Sequence, residues 1–288
     1  MTSSQTTGSL PSLPQELIDR IIDCHQDDGQ NLRSFALVSY SWMIRARRHL
    51  FTSVTVSKNF PLRGEKSHFA SFVRVLQAGP SVSHAVQRLS INHTTTTLQE
   101  IFPILHQLVQ LRALSLFTVS IPPSSTIADM TPVFDSLELL VLSSCSVERV
   151  EDVVWLICLL SRSLKALHIL SLFHTASSGR DVDPSPIPGE LSGHNRHIDA
   201  LVFKPNLDRG HDELCSQLVT GLLNLLDDRS LTSLDINLDP HPFSWVKGTS
   251  RLLTVAAPRL QNLNVVILNS SASNRTSLCA DADNQGSD

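Results

Sequence analysis

Eight times from Phe51 onward the chain repeats one hexad, apolar-x-x-apolar-x-apolar: Phe51/Val54/Val56, Val86/Leu89/Ile91, Leu111/Leu114/Leu116, Leu137/Leu140/Leu142, Leu164/Leu167/Ile169, Ile198/Leu201/Phe203, Leu231/Leu234/Ile236 and Leu260/Leu263/Val265. The last two apolar positions of each hexad are separated by one residue, the period of a strand with one face buried. Between the hexads the period lengthens. Phe69, Phe72, Val73 and Leu76 gather on one side of a helix, as do Leu98, Ile101, Phe102 and Leu105, with Pro103 weakening the middle. Val150, Val153, Val154 and Ile157 repeat the arrangement, and Leu214, Leu218, Leu222 and Leu225 give its clearest case. Each unit is a short strand followed by a helix. Strands joined by crossover helices run parallel. The expected fold class is α/β, with units stacked in one direction into a curved solenoid.

From Leu89 to Leu263 the middle residues of successive hexads are 25, 26, 27, 34, 33 and 29 positions apart. Those intervals scatter about the leucine-rich-repeat period of roughly 20–29 residues, so the repeat is irregular and only its strand half is clear. The longest interval contains Ser177 to Arg196, which holds Pro184, Pro186 and Pro188 together with Gly179, Gly189 and Gly193. This composition predicts an exposed loop.

Ahead of the repeats, Leu13-Pro14-Gln15-Glu16-Leu17-Ile18 opens a different pattern. Pro14 fits the first turn of a helix, where its missing N–H costs nothing. Leu17, Ile18, Ile21 and Ile22 then collect on one side. After a polar break at Gln26 to Gln30, a second row runs Leu32, Phe35, Ala36, Ser39, Met43, Ala46 and Leu50, predicting a helical run from Leu32 to Phe51. Leu37, Val38 and Trp42 lie off that row. The segment thus has more apolar surface than one small core needs, at a length of about 40 residues, near the lower limit for an independent domain. Something else is expected to cover it.

The order Leu13-Pro14-x-Glu16-Leu17, then Ile21-Ile22, then Leu32 and Ala36-Leu37-Val38-Ser39-Tyr40-Ser41-Trp42 resembles an F-box, the helical motif that docks on the S-phase-kinase-associated adaptor of cullin-based ubiquitin ligases. Tyr40 departs from the family, in which a basic residue is common there. The resemblance implies that Leu13, Pro14, Leu17, Ile21, Leu37, Val38 and Trp42 contact the adaptor. It also implies a chain like the fungal-type F-box proteins with degenerate leucine-rich repeats: a substrate-recognition subunit whose repeats bind a target protein and whose partners include the cullin scaffold. The same residues also fit a helical hairpin that caps the repeats. The alternative function is therefore a leucine-rich-repeat scaffold or interaction protein outside any ubiquitin ligase.

Composition narrows the classes. The chain has 288 residues, 41% of them hydrophobic and 17% charged, as a globular protein does. A net charge of −4 argues against nucleic-acid binding, which rests on clustered Lys and Arg. The one basic cluster, Arg45, Arg47, Arg48 and His49, reads as a solvated helix face. Five scattered cysteines without a Cys-x-x-Cys pair indicate neither a disulfide scaffold nor a zinc site, and fit a reducing compartment. Met1 to Ser12 is Ser/Thr-rich without a positive or apolar stretch, so no secretory signal is expected there, and the longest apolar run, Val153 to Leu160, is far short of a membrane span. The expected location is cytoplasmic or nuclear, with no membrane contact. The expected organisation is a disordered segment over 1–12, the F-box-like motif over 13–56, the repeats over 57–269 with an exposed loop at 177–196, and a disordered tail over 270–288.

No nucleotide-binding, hydrolase or metalloprotease motif occurs, so no catalytic residue, metal or cofactor is assigned and the chain is not expected to be an enzyme. His194 and His197 are spaced like a ligand pair but lack companions. Asp235 and Asp239 read as residues flanking a strand end. The surface of the repeats is more informative. Alternation that turns Leu114 and Leu116 to the core turns Ala113, Ser115 and Phe117 the other way. Ser115, Phe117, Val141, His168 and Leu170 are the candidate target-binding residues, with Phe117, Val141 and Leu170 expected to form an exposed apolar patch.

Overall fold

Pro14, with φ −54° and ψ 140°, precedes the first helix, α1 (Gln15–Asp23), and its carbonyl accepts from the N–H groups of Leu17 and Ile18. The computed structural model describes residues 13–57, 68–92, 97–123, 134–160, 163–175, 197–204, 212–226, 230–238 and 243–267. The expected segments 1–12, 177–196 and 270–288 lie outside these residues. Next comes α2 (Gly29–Phe35), where the Asp28 carboxylate accepts from the N–H groups of Gln30 and Asn31. Those bonds satisfy donors that a helix start leaves open. The helical run expected from Leu32 to Phe51 is two helices instead. Leu37, Val38 and Ser39 separate α2 from α3 (Tyr40–Thr52), which Ser39 caps from an extended conformation. Serine competes with helical hydrogen bonding through its own hydroxyl, which favours a break at that point.

Thr52 leads directly into β1 (Ser53–Ser57), which holds Val54 and Val56 of the first hexad and begins inside the 13–56 segment, whereas Phe51 of that hexad is still helical. The chain continues through α4 (His68–Ala78), α5 (Pro80–Ala85), β2 (Arg88–Asn92), α6 (Leu98–Leu105), β3 (Ala113–Phe117) and β4 (Ser120–Ile121). It then forms β5 (Leu139–Ser143), β6 (Cys145–Val147), α7 (Val150–Leu160), β7 (Ala166–Ile169) and β8 (Leu172–His174). Last come β9 (Ala200–Phe203), α8 (Asp212–Leu225), β10 (Ser233–Leu238), α9 (Phe243–Ala256) and β11 (Asn262–Ile267). The protein is mixed α/β. One sheet holds the order β1-β2-β3-β5-β7-β9-β10-β11 and a second holds β4-β6-β8, with every pairing parallel.

The hexads set the register. Leu89, Leu114, Leu140, Leu167, Leu201, Leu234 and Leu263 are successive ladder partners, and all but Leu263 are buried. The six buried ones pack with residues of the helices, among them Phe72, Ile101, Leu156 and Leu222, into one continuous core. Just ahead of the strands, each unit is tied to the one before it. The N–H groups of Arg112, Glu138, Lys165, Asp199, Thr232 and Gln261 donate to the carbonyls of Gln87, Arg112, Glu138, Lys165, Asp199 and Thr232 respectively. Side chains add to this chain of bonds: Ser136 Oγ donates to the Leu111 carbonyl at 3.0 Å and Thr232 Oγ1 to the Asp199 carbonyl at 3.1 Å.

Three expectations change. A second short strand, not a helix, follows β3, β5 and β7 after a two- or one-residue corner. At two of these corners, between β3 and β4 and between β5 and β6, Thr118 and Ser144 adopt left-handed backbones, φ 54° and 55°, where the chain passes from the large sheet to the second one. Second, the last hexad places Leu263 and Val265 in the core, but both are exposed, Leu263 by 52%. Their strand ends the sheet, and among the described residues no later element covers them. Third, Asp235 lies in the interior of β10 instead of at a strand end.

Candidate functional site

Helices α1, α2 and α3 share a small core of their own, made by Ile18, Ile22, Leu32 and Ala46 with Phe35, Ala36, Trp42 and Leu50 packed against it. Trp42 stands edge-to-face with Phe35, ring centroids 5.3 Å apart, and Phe35 meets His25 in the same way. Trp42 is half-buried, so much of its ring serves this core. Asp23, closing α1, binds α3: Arg45 Nε donates to Oδ1 at 2.7 Å, Arg45 Nη2 to Oδ2 at 2.6 Å, and His49 Nε2 lies 2.7 Å from Oδ1. The Arg45 hydrogen bonds, reinforced by His49 and opposed by desolvation, hold the Asp23 carboxyl down at about 2. The basic cluster expected to be a uniform solvated face therefore splits. Arg45 and His49 are structural, whereas Arg47 and Arg48 are exposed.

What this small core leaves outside is unusual. Leu17 and Ile21, four apart on α1, are exposed, as is Leu13 just ahead of the helix, while the adjoining Ile18 and Ile22 are buried. Leu37 and Val38, in the turn before α3, are 88% and 62% exposed. Tyr40 and Ile44, one turn apart on α3, are 74% and 55% exposed. Six of the seven candidate adaptor residues are thus on the surface, and Pro14 is among them. Tyr40 and Ile44 join this set although the sequence reading does not include them. Their i, i+4 spacing is the available signal, hidden by the buried row that α3 also carries.

The second candidate surface is the face of the large sheet opposite the core leucines. Ser90, Ser115, Val141, His168, Val202, Asp235 and Asn264 are successive ladder partners across it. Phe117 pairs with Ser143 in the row beyond, and Leu170 follows the end of β7, its N–H donating to the Leu142 carbonyl. Ser115, Phe117, His168 and Leu170 are half-exposed. Val141 is not: at 8% exposure it is buried, which corrects the expectation of an apolar patch through it. It sits on a central strand between Ser115 and His168, so neighbours flank it on both sides.

This face also carries a pair of charges. Lys204 Nζ lies 2.6 Å from Asp235 Oδ2, and Asn264 Nδ2 donates to Asp235 Oδ1 at 3.1 Å. Burial lowers the proton affinity of His168, Asp235 pulls the other way, and Lys204 lowers it further. The imidazole, the ion pair and the amide follow one another from β7 to β11, with Leu170 at the end of β7 and Phe117 two strands further back on β3, so polar and apolar groups share this face.

Among the described residues no group of His, Cys, Asp and Glu is arranged to hold a metal ion. His197 is instead 3.5 Å from Asp199, and His194 lies outside the described residues. Cys145 is buried, its thiol pushed up to about 11 by desolvation, and it donates to the Leu116 carbonyl at 3.4 Å. That is a structural role. Among the described residues no helix is long and apolar enough to cross a membrane. No protein-family model matches this chain, and no curated protein matches it in sequence.

Proposed function

We propose that this chain is the substrate-recognition subunit of a Skp–cullin–F-box type ubiquitin ligase. Its N-terminal helices are an F-box that docks on the S-phase-kinase-associated adaptor, and through it on the cullin scaffold. Its parallel strands form an irregular leucine-rich-repeat solenoid whose open face holds the target protein. The observation that carries this proposal is the distribution of exposed apolar side chains. Of the thirteen large hydrophobic residues exposed among the described residues, seven fall between Leu13 and Ile44. Burying one such side chain is worth roughly 1.5–3 kcal/mol, so a short segment that leaves this many in water is matched to a partner.

The repeat reading is supported by the longer pattern around each strand. Leu111-x-x-Leu114-x-Leu116-x-x-Val119-x-Ile121 and Leu137-x-x-Leu140-x-Leu142-x-x-Cys145-x-Val147 follow the order of a leucine-rich repeat, with Cys145 where that repeat carries Asn or Cys. In this arrangement the chain contributes no catalytic residue. It accelerates transfer by holding the target near the ubiquitin-carrying enzyme, a proximity effect. The work is done in the cytoplasm or nucleus.

A leucine-rich-repeat scaffold outside any ligase is the second reading. One observation favours it: α3 enters β1 with no intervening linker and packs on α5, as a cap on the first unit does. Co-purification separates the two. Tagged full-length chain, co-expressed with the adaptor and cullin, is expected to retain both, and Leu37→Asp with Val38→Asp to lose both. Retention of neither by a folded wild-type chain supports the scaffold.

A further inference from the structure

A groove of about 890 Å3 opens between α1, α3 and α5. Its apolar lining comes from Met43, Ile44, Phe51, Val82 and Ala85, and its charged lining from Asp19, Arg45, Arg47 and Arg48. These charges are not equivalent. Arg45 is committed to Asp23, and Asp19 accepts a hydrogen bond from Gln15 Nε2 at 2.8 Å. Arg47 and Arg48 are exposed and form no ion pair among the described residues. The groove therefore presents two uncommitted guanidinium groups beside an apolar lining.

We infer that this groove binds an acidic, extended segment of a partner protein, with one apolar side chain of that segment seated among Met43, Phe51 and Val82 and its carboxylates on Arg47 and Arg48. Charge complementarity selects the class. Guanidinium groups match carboxylates bidentately, and their longer-range field draws an acidic chain toward the groove. The apolar lining gives a peptide side chain a place that a phosphate backbone does not use. Two uncommitted arginines on a chain of net charge −4 also fall well short of the basic surface that nucleic acid requires. The volume is that of sites which enclose a ligand of a few side chains. This inference goes beyond the ligase proposal and does not depend on it, since neither the adaptor nor the cullin enters its test.

The probe is a fluorescein-labelled octapeptide of alternating Glu and Asp around a central Leu-Phe pair, titrated with the full chain and followed by fluorescence anisotropy. The expected result is saturable binding that weakens with added salt. Replacing the acidic residues by Gln and Asn is expected to abolish it, and removing the Leu-Phe pair to weaken it. In the chain, Arg47→Glu with Arg48→Glu is expected to weaken binding by about tenfold or more, because like charges then face each other. Arg47→Lys with Arg48→Lys keeps the charge without the bidentate geometry and is expected to bind between wild type and the charge reversal. Both positions are exposed, so melting is expected to stay the same. Failure of the wild-type chain to bind the peptide, or equal binding after charge reversal, overturns the inference. Binding of a short oligothymidylate with the same dependence on Arg47 and Arg48, and tighter than the peptide, overturns it in favour of a phosphate site.

Discussion

Arg45 grips Asp23 with two parallel hydrogen bonds, at 2.7 and 2.6 Å, and so fixes α3 against the end of α1. The pair is partly exposed, so solvent screening limits its worth. Asp23→Asn is expected to cost about 1 kcal/mol at neutral pH, the upper part of the range for such pairs. Because folding lowers the Asp23 pKa from 3.8 to about 2, the stabilisation is present above the unfolded value and is lost as pH falls through the folded one. Denaturant melts of wild type and Asp23→Asn are thus expected to differ at neutral pH and to converge as pH drops from about 4 to about 2.

Leu114, Leu140 and Leu167 are equivalent ladder partners and fully buried. Changing any one to Ala is expected to destabilise the chain by roughly 2–5 kcal/mol, the usual cost of deleting a buried Leu side chain. Leu263 occupies the same position on the exposed last strand, and Leu263→Ala is expected to cost less than about 1 kcal/mol. Equilibrium unfolding of the four variants checks this. Equal losses at Leu140 and Leu263 would mean that β11 is covered.

Gly221 of α8 approaches α7 so closely that a Cβ there would lie 2.7 Å from Val154 Cγ2. An open helical site gains from Gly→Ala by about 1 kcal/mol. Here the sign reverses: Gly221→Ala is expected to destabilise by roughly 1–3 kcal/mol, the range for overpacking. Adding Val154→Ala is expected to return part of that loss. Thermal melts of the single and double variants test the coupling.

The proposed target surface makes a separate prediction. Phe117→Ser with Leu170→Ser is expected to change the set of proteins captured by proximity labelling while leaving melting and adaptor retention intact, since both side chains are half-exposed. An unchanged set would move recognition off this face of the sheet.

Much of this fold is legible because alternation is strict where one face of a strand is buried: the core leucines from Leu89 to Leu234 read directly from the hexads. Extending the pattern by five residues, to Val119 and Ile121 or to Cys145 and Val147, reveals β4 and β6 as well. Alternation assigns a face but not a depth, which is why Val141 reads as a surface residue and is buried. Exposure at the sheet's end is set by whether a later element packs over the last strand, so Leu263 and Val265 carry the core pattern without its burial. The Lys204–Asp235 pair joins residues 31 positions apart, Lys204 just past the end of β9 and Asp235 within β10, a diagonal relation that the hexads do not display. At the N-terminus, helical spacing groups Leu17 and Ile21 with Ile18 and Ile22. Only the packed helices separate the pair that faces inward from the pair left exposed.

The central claim is that this exposed set is an adaptor-binding surface, and the direct measurement is titration calorimetry of the purified adaptor against the full chain. Wild type is expected to bind one-to-one with a negative heat-capacity change, the mark of apolar burial. Leu17→Asp with Leu37→Asp is expected to weaken binding by about a hundredfold or more, because a few buried apolar anchors dominate such interfaces. Its melting is expected to match wild type, since both side chains are already in water. Absence of binding by a folded wild-type chain, or equal affinity of the double variant, would contradict the account.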